Sequence, residues 1–364
     1  MPTGRGGRLA PIWQDGKRVM KAIFDPAQKR HHPKFFLSSG AAKPNPEVPE
    51  RADILLAAAK NAGLTQETPH DYGLAPAAAI HTPEYLIFLR TIFERWQHIE
   101  GASPEVIPNI HPNGRGLSYP ASAVGHAGYH MADTSCPINA DTWGSALRSS
   151  HTAAHAANLV SQGAPAAYAL CRPPGHHAFA DMAGGFCYLN NAAIAAAALQ
   201  RHGSRVAILD VDLHHGNGTQ GIYYERSDVL TVSIHADPIR FYPFFWGHVD
   251  ERGSGAGLGY NLNLPLPRKT GDDGFLAALE TAVQRIKAFA PDALVIALGL
   301  DAHESDPFGG LTVTTHGFEK IGARIASMKL PTVLVQEGGY LNDALGANLE
   351  SFLSGFQKTG VRHS

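Results

Sequence analysis

The chain has 364 residues, 44% of them hydrophobic, and a formal net charge of −2. This length and apolar fraction allow a large buried core, and the near-neutral charge argues against a general nucleic-acid binder. Three cysteines without CxxC spacing argue against a disulfide framework or zinc finger and favour reduced thiols in a cytoplasmic protein. We find neither a membrane-spanning apolar run nor a secretory signal.

Taken in chain order, the sequence predicts an extended arm at residues 1–19 and one folded domain at residues 20–360. Short runs rich in Val, Ile, Leu and Ala alternate with helical patterns, and most runs lack polar alternation, which is typical of a parallel sheet buried on both faces. The predicted strands are Met20–Phe24, Ala166–Cys171, Arg205–Val211, Val229–His235, Tyr260–Leu264, Ala293–Gly299 and Thr332–Glu337. The predicted helices are Asp141–Ser161, Asn190–His202, Asp272–Phe289 and Thr315–Met328. This repetition predicts a doubly wound α/β sheet.

One segment, Gly101 to Asp141, departs from the pattern because it is rich in Pro, Gly, His and Ser. A structureless connection of this length inside a compact domain is usually functional. We therefore treat residues 101–141 as an inserted functional loop.

Residues with reactive side chains follow several of the predicted strands. Ligands of open α/β sheets bind beyond the carboxyl ends of the strands, so these side chains are expected to share one rim of the sheet. The residues concerned are His176 and His177, then Asp210, Asp212 and His214, then His235, Asp301 and Tyr340.

The stretch ILDVDLHHGNGTQ predicts a metal site. Asp212 and His214 are alternate residues of an extended segment and point the same way, and Asp301 is the best candidate for a third ligand. Two carboxylates and one neutral imidazole leave a position for water, as in catalytic zinc sites, although iron, cobalt or manganese also fit. Bound metal lowers the pKa of water from about 15.7 to about 7. Gly216 and Gly218 are expected to let the chain turn tightly after the ligands.

Several candidates have structural alternatives. Asp210 and Asp301 are also compatible with capping roles, and Tyr340 with packing after a Gly-Gly turn. His151 and His155 have helical i, i+4 spacing, yet without a third ligand they indicate a surface or packing role. The remaining pair, His31 and His32, is expected to be exposed.

Six motifs together resemble the zinc-dependent histone deacetylase and acetylpolyamine amidohydrolase superfamily: RPPGHHA, GGFCYLNN, ILDVDLHHGNGTQ, TVSIH, LGLDAHESDP and EGGY. The likeness extends from Pro49–Ala52 and His81–Leu86 to a C-terminal helix. HHGNGTQ, with Asn217, resembles the class II and bacterial members. The long segment before Asp141 and Phe93–Trp96 upstream of it resemble the acetylpolyamine branch.

The resemblance implies the arginase–deacetylase fold, a single deacetylase domain with a central parallel sheet of about eight strands flanked by helices. It implies one zinc ion held by Asp212, His214 and Asp301. It also implies five catalytic residues: His176 paired with Asp210, His177 as the main general base and acid held by Asn217, and Tyr340 as donor to the substrate carbonyl and its oxyanion. These roles match the needs of amide hydrolysis.

Further positions follow from the same resemblance. Gly185 would offer its carbonyl to the substrate amide, and Phe186 and Tyr242 would form the walls of a substrate channel. A structural potassium ion would use Asp210, Asp212, His214 and Ser233, and Arg51 would lie near an inner cavity.

The implied reaction is removal of an acetyl or other small acyl group from an N-acylated amine, with acetylpolyamine-type substrates favoured. Protein acetyl-lysine or another small amide, including a xenobiotic one, is the alternative. Acetylpolyamine enzymes carry acidic residues in the insertion that meet the substrate ammonium, and Val124 and Ser135 stand at those positions here. Asp133, close by, is a candidate substitute. The insertion of this branch also implies a homodimer, with no nucleic-acid or membrane partner expected.

Two other classes of function remain as alternatives. An arginase-like binuclear manganese hydrolase shares the fold, and Asp301–Asp306 superficially resembles one arginase motif. The stretch His214–His215–Gly216 stands where bridging carboxylates would be needed, which argues against it. A catalytically inactive binding protein on the same scaffold is disfavoured by the presence of Tyr340 and both adjacent histidines.

Overall fold

A computed structural model describes residues 13–14, 17–18, 20–112, 114, 118–201 and 204–360. Most of the predicted arm, 1–19, lies outside these residues, and within it Trp13–Gln14 pairs antiparallel with Lys17–Arg18. The predicted helix end at His202 also lies outside the described residues. The boundaries of the deacetylase domain at residues 20 and 360 stay predictions.

The centre of the molecule is one eight-stranded sheet in which every neighbouring pair is parallel. In chain order the strands are β1 (Lys21–Ile23), β2 (Thr65–Glu67), β3 (Ala166–Ala169), β4 (Val206–Asp210), β5 (Val229–Ala236), β6 (Asn261–Leu266), β7 (Ala293–Leu298) and β8 (Thr332–Gln336). Their order across the sheet is β6-β5-β4-β7-β8-β3-β1-β2. All seven predicted strands are present with ends within two residues of the prediction. The predicted fold class is confirmed, and β2 is the strand of this sheet that was not predicted. A separate antiparallel pair, Phe35–Ser38 with Ala41–Pro44, was not predicted either.

Helices cover both faces of the sheet. The described residues form helices at Glu50–Asn61, Ala75–Ala78, Pro83–Gln97, Ala123–His130, Thr142–Ser161, Asn191–Gln200, Asn217–Tyr223, Asp272–Phe289, Thr315–Ala326 and Leu345–Gly360. Two of the four predicted helices begin after a capping side chain. Asn190 and Thr314 accept hydrogen bonds from the Ala193 and Gly317 backbone N–H groups, which satisfies free donors of the first turn. No helix in the described parts of the chain is long and apolar enough to cross a membrane.

The predicted strands lack polar alternation because they are buried on both faces of the sheet, as β4 shows. Val206 and Ile208 join the apolar core on one face of the sheet, and Ala207 and Leu209 join the core on the other face. All four side chains are at most 1% exposed. A strand buried on both faces needs apolar residues at every position.

The segment 101–141 is not the structureless loop that its composition predicted. It contains the helix Ala123–His130, and its two ends are joined by hydrogen bonds of 2.9 and 3.1 Å between the backbones of Val106 and Ile138. Met131 and Cys136 are fully buried. The expectation failed because both flanks of the segment belong to the hydrophobic core rather than to the surface.

The expectation that His31 is exposed was wrong, and His32 is partly buried. His31 is 1% exposed, its Nδ1 lies 3.1 Å from Thr142 Oγ1, and its ring contacts Tyr188. His151 and His155 are buried in the helix Thr142–Ser161, in agreement with a packing role.

Candidate active site

The predicted site residues meet because four strands that carry them are neighbours in the sheet. The strands β4, β7, β8 and β3 are consecutive across the sheet. Asp212 and His214 follow β4, Asp301 follows β7, Tyr340 follows β8, and His176 and His177 follow β3. Parallel strands all end on the same edge, so these side chains converge on one rim.

Asp212, His214 and Asp301 form a buried cluster whose ligand atoms lie within 4.8 Å of one another. His214 Nδ1 lies 3.3 Å from Asp212 Oδ1 and 3.1 Å from Asp301 Oδ2. Backbone N–H groups orient both carboxylates: Gly338 donates to Asp212 Oδ2 at 2.8 Å, and Leu213 donates to Asp301 Oδ1 at 2.9 Å.

The chemistry of this cluster fits a divalent cation. Both carboxylates are fully buried, and burial together with the charge of Asp212 raises the pKa of Asp301. Two buried carboxylates side by side therefore repel each other unless a cation lies between them. Two carboxylate oxygens and an imidazole nitrogen are a donor set that zinc and other divalent transition metals accept.

The two histidines differ in their partners and therefore in their charge. His176 Nδ1 lies 2.9 Å from Asp210 Oδ2, and His177 Nδ1 lies 2.7 Å from Asn217 Oδ1. Burial disfavours the charged ring, but Asp212 and Asp210 outweigh it and raise the pKa of His176 to about 10. Burial and the nearby charge of His176 lower the pKa of His177 well below its usual range. His177 is thus neutral at neutral pH and able to accept a proton.

Tyr340 is 4% exposed and enclosed by aromatic and cationic neighbours. Its ring centroid lies 4.7 Å from that of Phe308 and 6.0 Å from that of Phe186. The guanidinium carbon of Arg51 lies 4.9 Å from the Tyr340 ring centroid, and the Tyr340 backbone N–H donates to Asp306 Oδ2 at 3.0 Å. Burial raises the pKa of the Tyr340 phenol well above its usual range, so the hydroxyl remains a hydrogen-bond donor.

A cleft of about 740 Å³ leads down to His177, His214 and Tyr340. The predicted channel residues Gly185, Phe186 and Tyr242 all line it. Gly185 has φ +50°, and a Cβ there would lie 2.4 Å from the His177 ring, so only glycine fits. The Tyr242 ring centroid lies 4.9 Å from that of His177.

The wall of this cleft is held by Asp133, which the sequence marked only as a possible charge substitute. Tyr242 Oη donates to Asp133 Oδ2 at 2.6 Å, and Gly185 N–H donates to the same oxygen at 3.2 Å. Among the described residues that line the cleft, Asp133 is the one carboxylate. Burial raises its pKa. Ser135 also lines the cleft, whereas Val124 packs against the hydrophobic core.

The predicted potassium residues lie behind the rim. Asp210 and Ser233 are register partners on the adjacent strands β4 and β5, and both line a small cavity of about 10 Å³. Ser233 Oγ lies 2.8 Å from His235 Nδ1. Asp212 and His214 belong to the cluster with Asp301, so the predicted potassium set shares two residues with the predicted zinc ligands.

The predicted role of Gly216 and Gly218 was wrong. Gly216 has φ −75°, and Gly218 lies in the helix Asn217–Tyr223 without a positive φ. A Cβ on Gly216 would lie 2.3 Å from Asp210 Oδ2, and one on Gly218 would lie 2.3 Å from the Ala178 carbonyl oxygen. Close approach of the neighbouring chain, rather than a tight turn, explains these glycines.

Three further residues shape the site without having been predicted. Phe241 stacks on His214 with ring centroids 5.2 Å apart, and Phe308 contacts the same ring edge-on at 5.2 Å. Asp306 is 5% exposed and accepts from Tyr340, and burial followed by the charge of Asp301 raises its pKa to about 7. The only available signal was their position shortly after strand ends.

Comparison with known proteins places these features in a family. The histone deacetylase domain model matches residues 45–356. The chain is 49% identical over 342 residues to an acetylpolyamine amidohydrolase of Burkholderia pseudomallei, covering 93% of this chain and 98% of the relative. It is 44% identical over 344 residues to acetylpolyamine amidohydrolase 1 of Pseudomonas aeruginosa, covering 93% and 99%.

A solved crystal structure has the same fold. The crystal structure of an acetylpolyamine aminohydrolase from Burkholderia pseudomallei superposes with a TM-score of 0.91 at 48% sequence identity. The match covers 94% of this chain and 99% of that chain.

Proposed function

This chain belongs to the histone deacetylase family and is a deacetylase of the amidohydrolase type, and we propose that it removes acetyl or other small acyl groups from small amines with zinc as its metal. Two relatives covered over almost their whole length are named acetylpolyamine amidohydrolases. Acetylated polyamines are therefore the first substrates to test.

The observation that carries the proposal is the convergence of three kinds of group at the floor of one cleft. The cluster Asp212, His214 and Asp301 lies beside the His176–His177 pair, and Tyr340 lines the same cleft. A divalent ion held by that cluster would supply Lewis acidity, which would polarise the substrate carbonyl and make water more acidic.

The side chains have distinct roles in the proposed reaction. His177 is neutral, and Asn217 fixes its Nδ1, so its Nε2 accepts the proton of the attacking water and returns it to the leaving amine. His176, held by Asp210, carries positive charge beside the reacting atoms. The Tyr340 hydroxyl donates to the carbonyl oxygen as negative charge develops there, which is the usual way an oxyanion is stabilised.

The walls of the cleft favour a slim substrate chain. Phe186 and Tyr242 flank the approach to the site, and the Gly185 carbonyl is proposed to accept from the substrate amide N–H. Asp133 gives this approach one negative charge among aromatic surfaces, which favours an amine with a protonated nitrogen along its chain.

Three further features belong to the proposal. A structural potassium ion at Asp210, Asp212, His214 and Ser233 is supported by the paired positions of Asp210 and Ser233. A homodimer that uses the insertion is supported by exposed apolar side chains there, Ile110 at 58% and Tyr119 at 47%. A cytoplasmic location is supported by the three unpaired cysteines.

The test is a substrate panel measured on the purified, metal-loaded protein. The panel contains acetylputrescine, acetylcadaverine, acetylspermidine, an acetyl-lysine peptide and simple anilides. We expect the highest kcat/KM on the acetylated diamines and polyamines. Preference for the peptide by more than about tenfold, equivalent to about 1.4 kcal/mol, would refute the proposed substrate class.

A further inference from the structure

Behind the catalytic pair lies a buried carboxylate, Glu337, to which the proposed mechanism gives no task. Glu337 is 0% exposed and directly follows β8. Its Oε2 accepts from the backbone N–H groups of Gly175 at 2.6 Å and of His176 at 3.1 Å. Its Oε1 has no hydrogen-bond partner among the described residues. Burying a carboxylate with one oxygen unpaired is unfavourable, so the group needs an explanation beyond stability.

Glu337 is itself held firmly by its own backbone. Its N–H donates to the Leu298 carbonyl at 2.9 Å, and its carbonyl accepts from Arg51 Nη2 at 2.7 Å. It lies three positions before Tyr340 on the same loop. The Glu337 side chain thus links the loop that carries the oxyanion donor to the loop that carries both histidines.

The carbonyl groups of the loop with the histidines have other partners. The His176 carbonyl accepts from Thr219 N–H at 3.1 Å, and the Pro173 carbonyl accepts from Ser149 Oγ at 3.0 Å and from Asn191 Nδ2 at 3.1 Å. On the donor side, the hydrogen bonds of the Gly175 and His176 N–H groups go to Glu337. Any shift of that main chain moves both imidazole rings away from Asp210 and Asn217.

We propose that Glu337 is a positioning residue of the reaction, which fixes the main chain of Gly175 and His176 so that both imidazoles keep their working geometry. The inference rests on the proposed function, because it assigns Glu337 a role through the proposed base pair. A misplacement of catalytic groups by about 1 Å is enough to cost about 10²-fold in rate. The position of the acceptor oxygen, rather than the charge of Glu337, is the feature that matters.

Two conservative variants separate acceptor position from charge. Glu337→Gln keeps an oxygen at the same distance from the backbone but removes the ionisable carboxyl group, and its amide NH₂ replaces the unpaired Oε1. Glu337→Asp keeps an ionisable carboxyl group but draws the acceptor back by one methylene. We expect Glu337→Gln to lose thermal stability yet keep kcat within about tenfold, and Glu337→Asp to lose about 10²-fold in kcat. The KM for acetylputrescine should stay within about threefold of wild type in both, because neither change touches the substrate channel.

Asn191→Ala serves as the matched control, since it removes another buried hydrogen bond to the same loop, at Pro173. It should lower the melting temperature while kcat stays within about threefold of wild type. Metal content is measured for every variant, so that loss of metal is not mistaken for misplacement.

The possible results test the proposed function and the positioning role separately. Hydrolysis of no panel substrate by the wild-type protein refutes the proposed function itself. With an active wild type, a full kcat in Glu337→Asp overturns the positioning role. A larger kcat loss in Glu337→Gln than in Glu337→Asp also overturns it, because charge would then be the essential feature. So does a kcat loss in Asn191→Ala as large as that in Glu337→Asp.

Discussion

Replacing Tyr340 by Phe removes a single oxygen atom and isolates the proposed oxyanion contact. None of the hydrogen bonds found between described residues uses the Tyr340 hydroxyl, and the ring contacts with Phe308 and Phe186 do not need it. The variant should therefore change the free energy of unfolding by less than about 0.5 kcal/mol, the lower limit for a typical lost hydrogen bond.

The effect on the reaction should be much larger than the effect on stability. Loss of one oxyanion donor costs about 10²–10³ in kcat, or ~2.7–4 kcal/mol. Because burial raises the pKa of Tyr340, the hydroxyl is a donor throughout the neutral range, and the loss should be the same across that range. Steady-state kinetics on acetylputrescine, with metal content and melting temperature measured on the same samples, give all three quantities.

Tyr85→Phe is a suitable control because its effects should be the reverse. Tyr85 is fully buried, and its hydroxyl donates to the Tyr188 carbonyl at 2.6 Å, away from the cleft. Its removal should cost about 1 kcal/mol of stability and leave kcat unchanged. If Tyr340→Phe keeps its metal and a kcat within about tenfold of wild type, Tyr340 is only a packing residue and the oxyanion assignment is wrong.

The remaining predictions concern the metal, the cleft wall, pH and the insertion. Chelator treatment should abolish hydrolysis and zinc or cobalt should restore it, so full activity in protein shown by elemental analysis to be metal-free would contradict the metal site. Asp133→Asn should lower kcat/KM about tenfold for acetylputrescine but not for its neutral hydroxyl analogue, and equal losses on both would argue against recognition of charge. Burial opposes ionisation of Glu67, but Lys21 and His155 outweigh it and lower its pKa. The stability this adds is present above about pH 4.3 and lost as the pH falls through the lower folded value, so the melting-temperature gap to Glu67→Gln should close in acid. Replacing residues 109–120 by a Gly-Ser linker should weaken the dimer in light scattering and raise relative activity on peptides, and an unchanged mass and ratio would exclude the insertion as interface or gate.

The strands were predictable because burial on both faces of the sheet requires apolar residues at successive positions, and the sequence shows such runs. In β4 every position needs an apolar residue, and the run ends where Asp210 reaches the rim. The same logic brought the candidate ligands to one edge, since neighbouring parallel strands end together. Topology alone therefore accounts for the cluster of Asp212, His214 and Asp301.

The edge strand β2 carried no comparable signal. Its three residues, Thr65, Gln66 and Glu67, are polar and at least partly exposed. It is recognisable as a strand only through its pairing with Lys21–Ile23. The helix Pro83–Gln97 did have a signal, because Thr82 caps it and Pro83 occupies the first turn.

Contacts between segments that are distant in the sequence could not be predicted from local sequence patterns. Gly218 is needed because the Ala178 carbonyl passes over it, and no local rule relates these two positions. His31 was misjudged for the same reason, since its burial results from packing against distant residues such as Thr142 and Tyr188.

The cleft wall also depends on contacts between distant segments. Asp133 lies in the insertion, Gly185 follows β3, and Tyr242 follows β5, so the hydrogen bonds among them join residues 52 and 109 positions apart. The groups proposed for catalysis, in contrast, sit at strand ends, where the architecture itself holds them in place. We therefore expect the insertion to influence the choice of substrate more than the reaction chemistry. Changes in the insertion are expected to reshape the wall around Asp133 without disturbing the cluster of Asp212, His214 and Asp301.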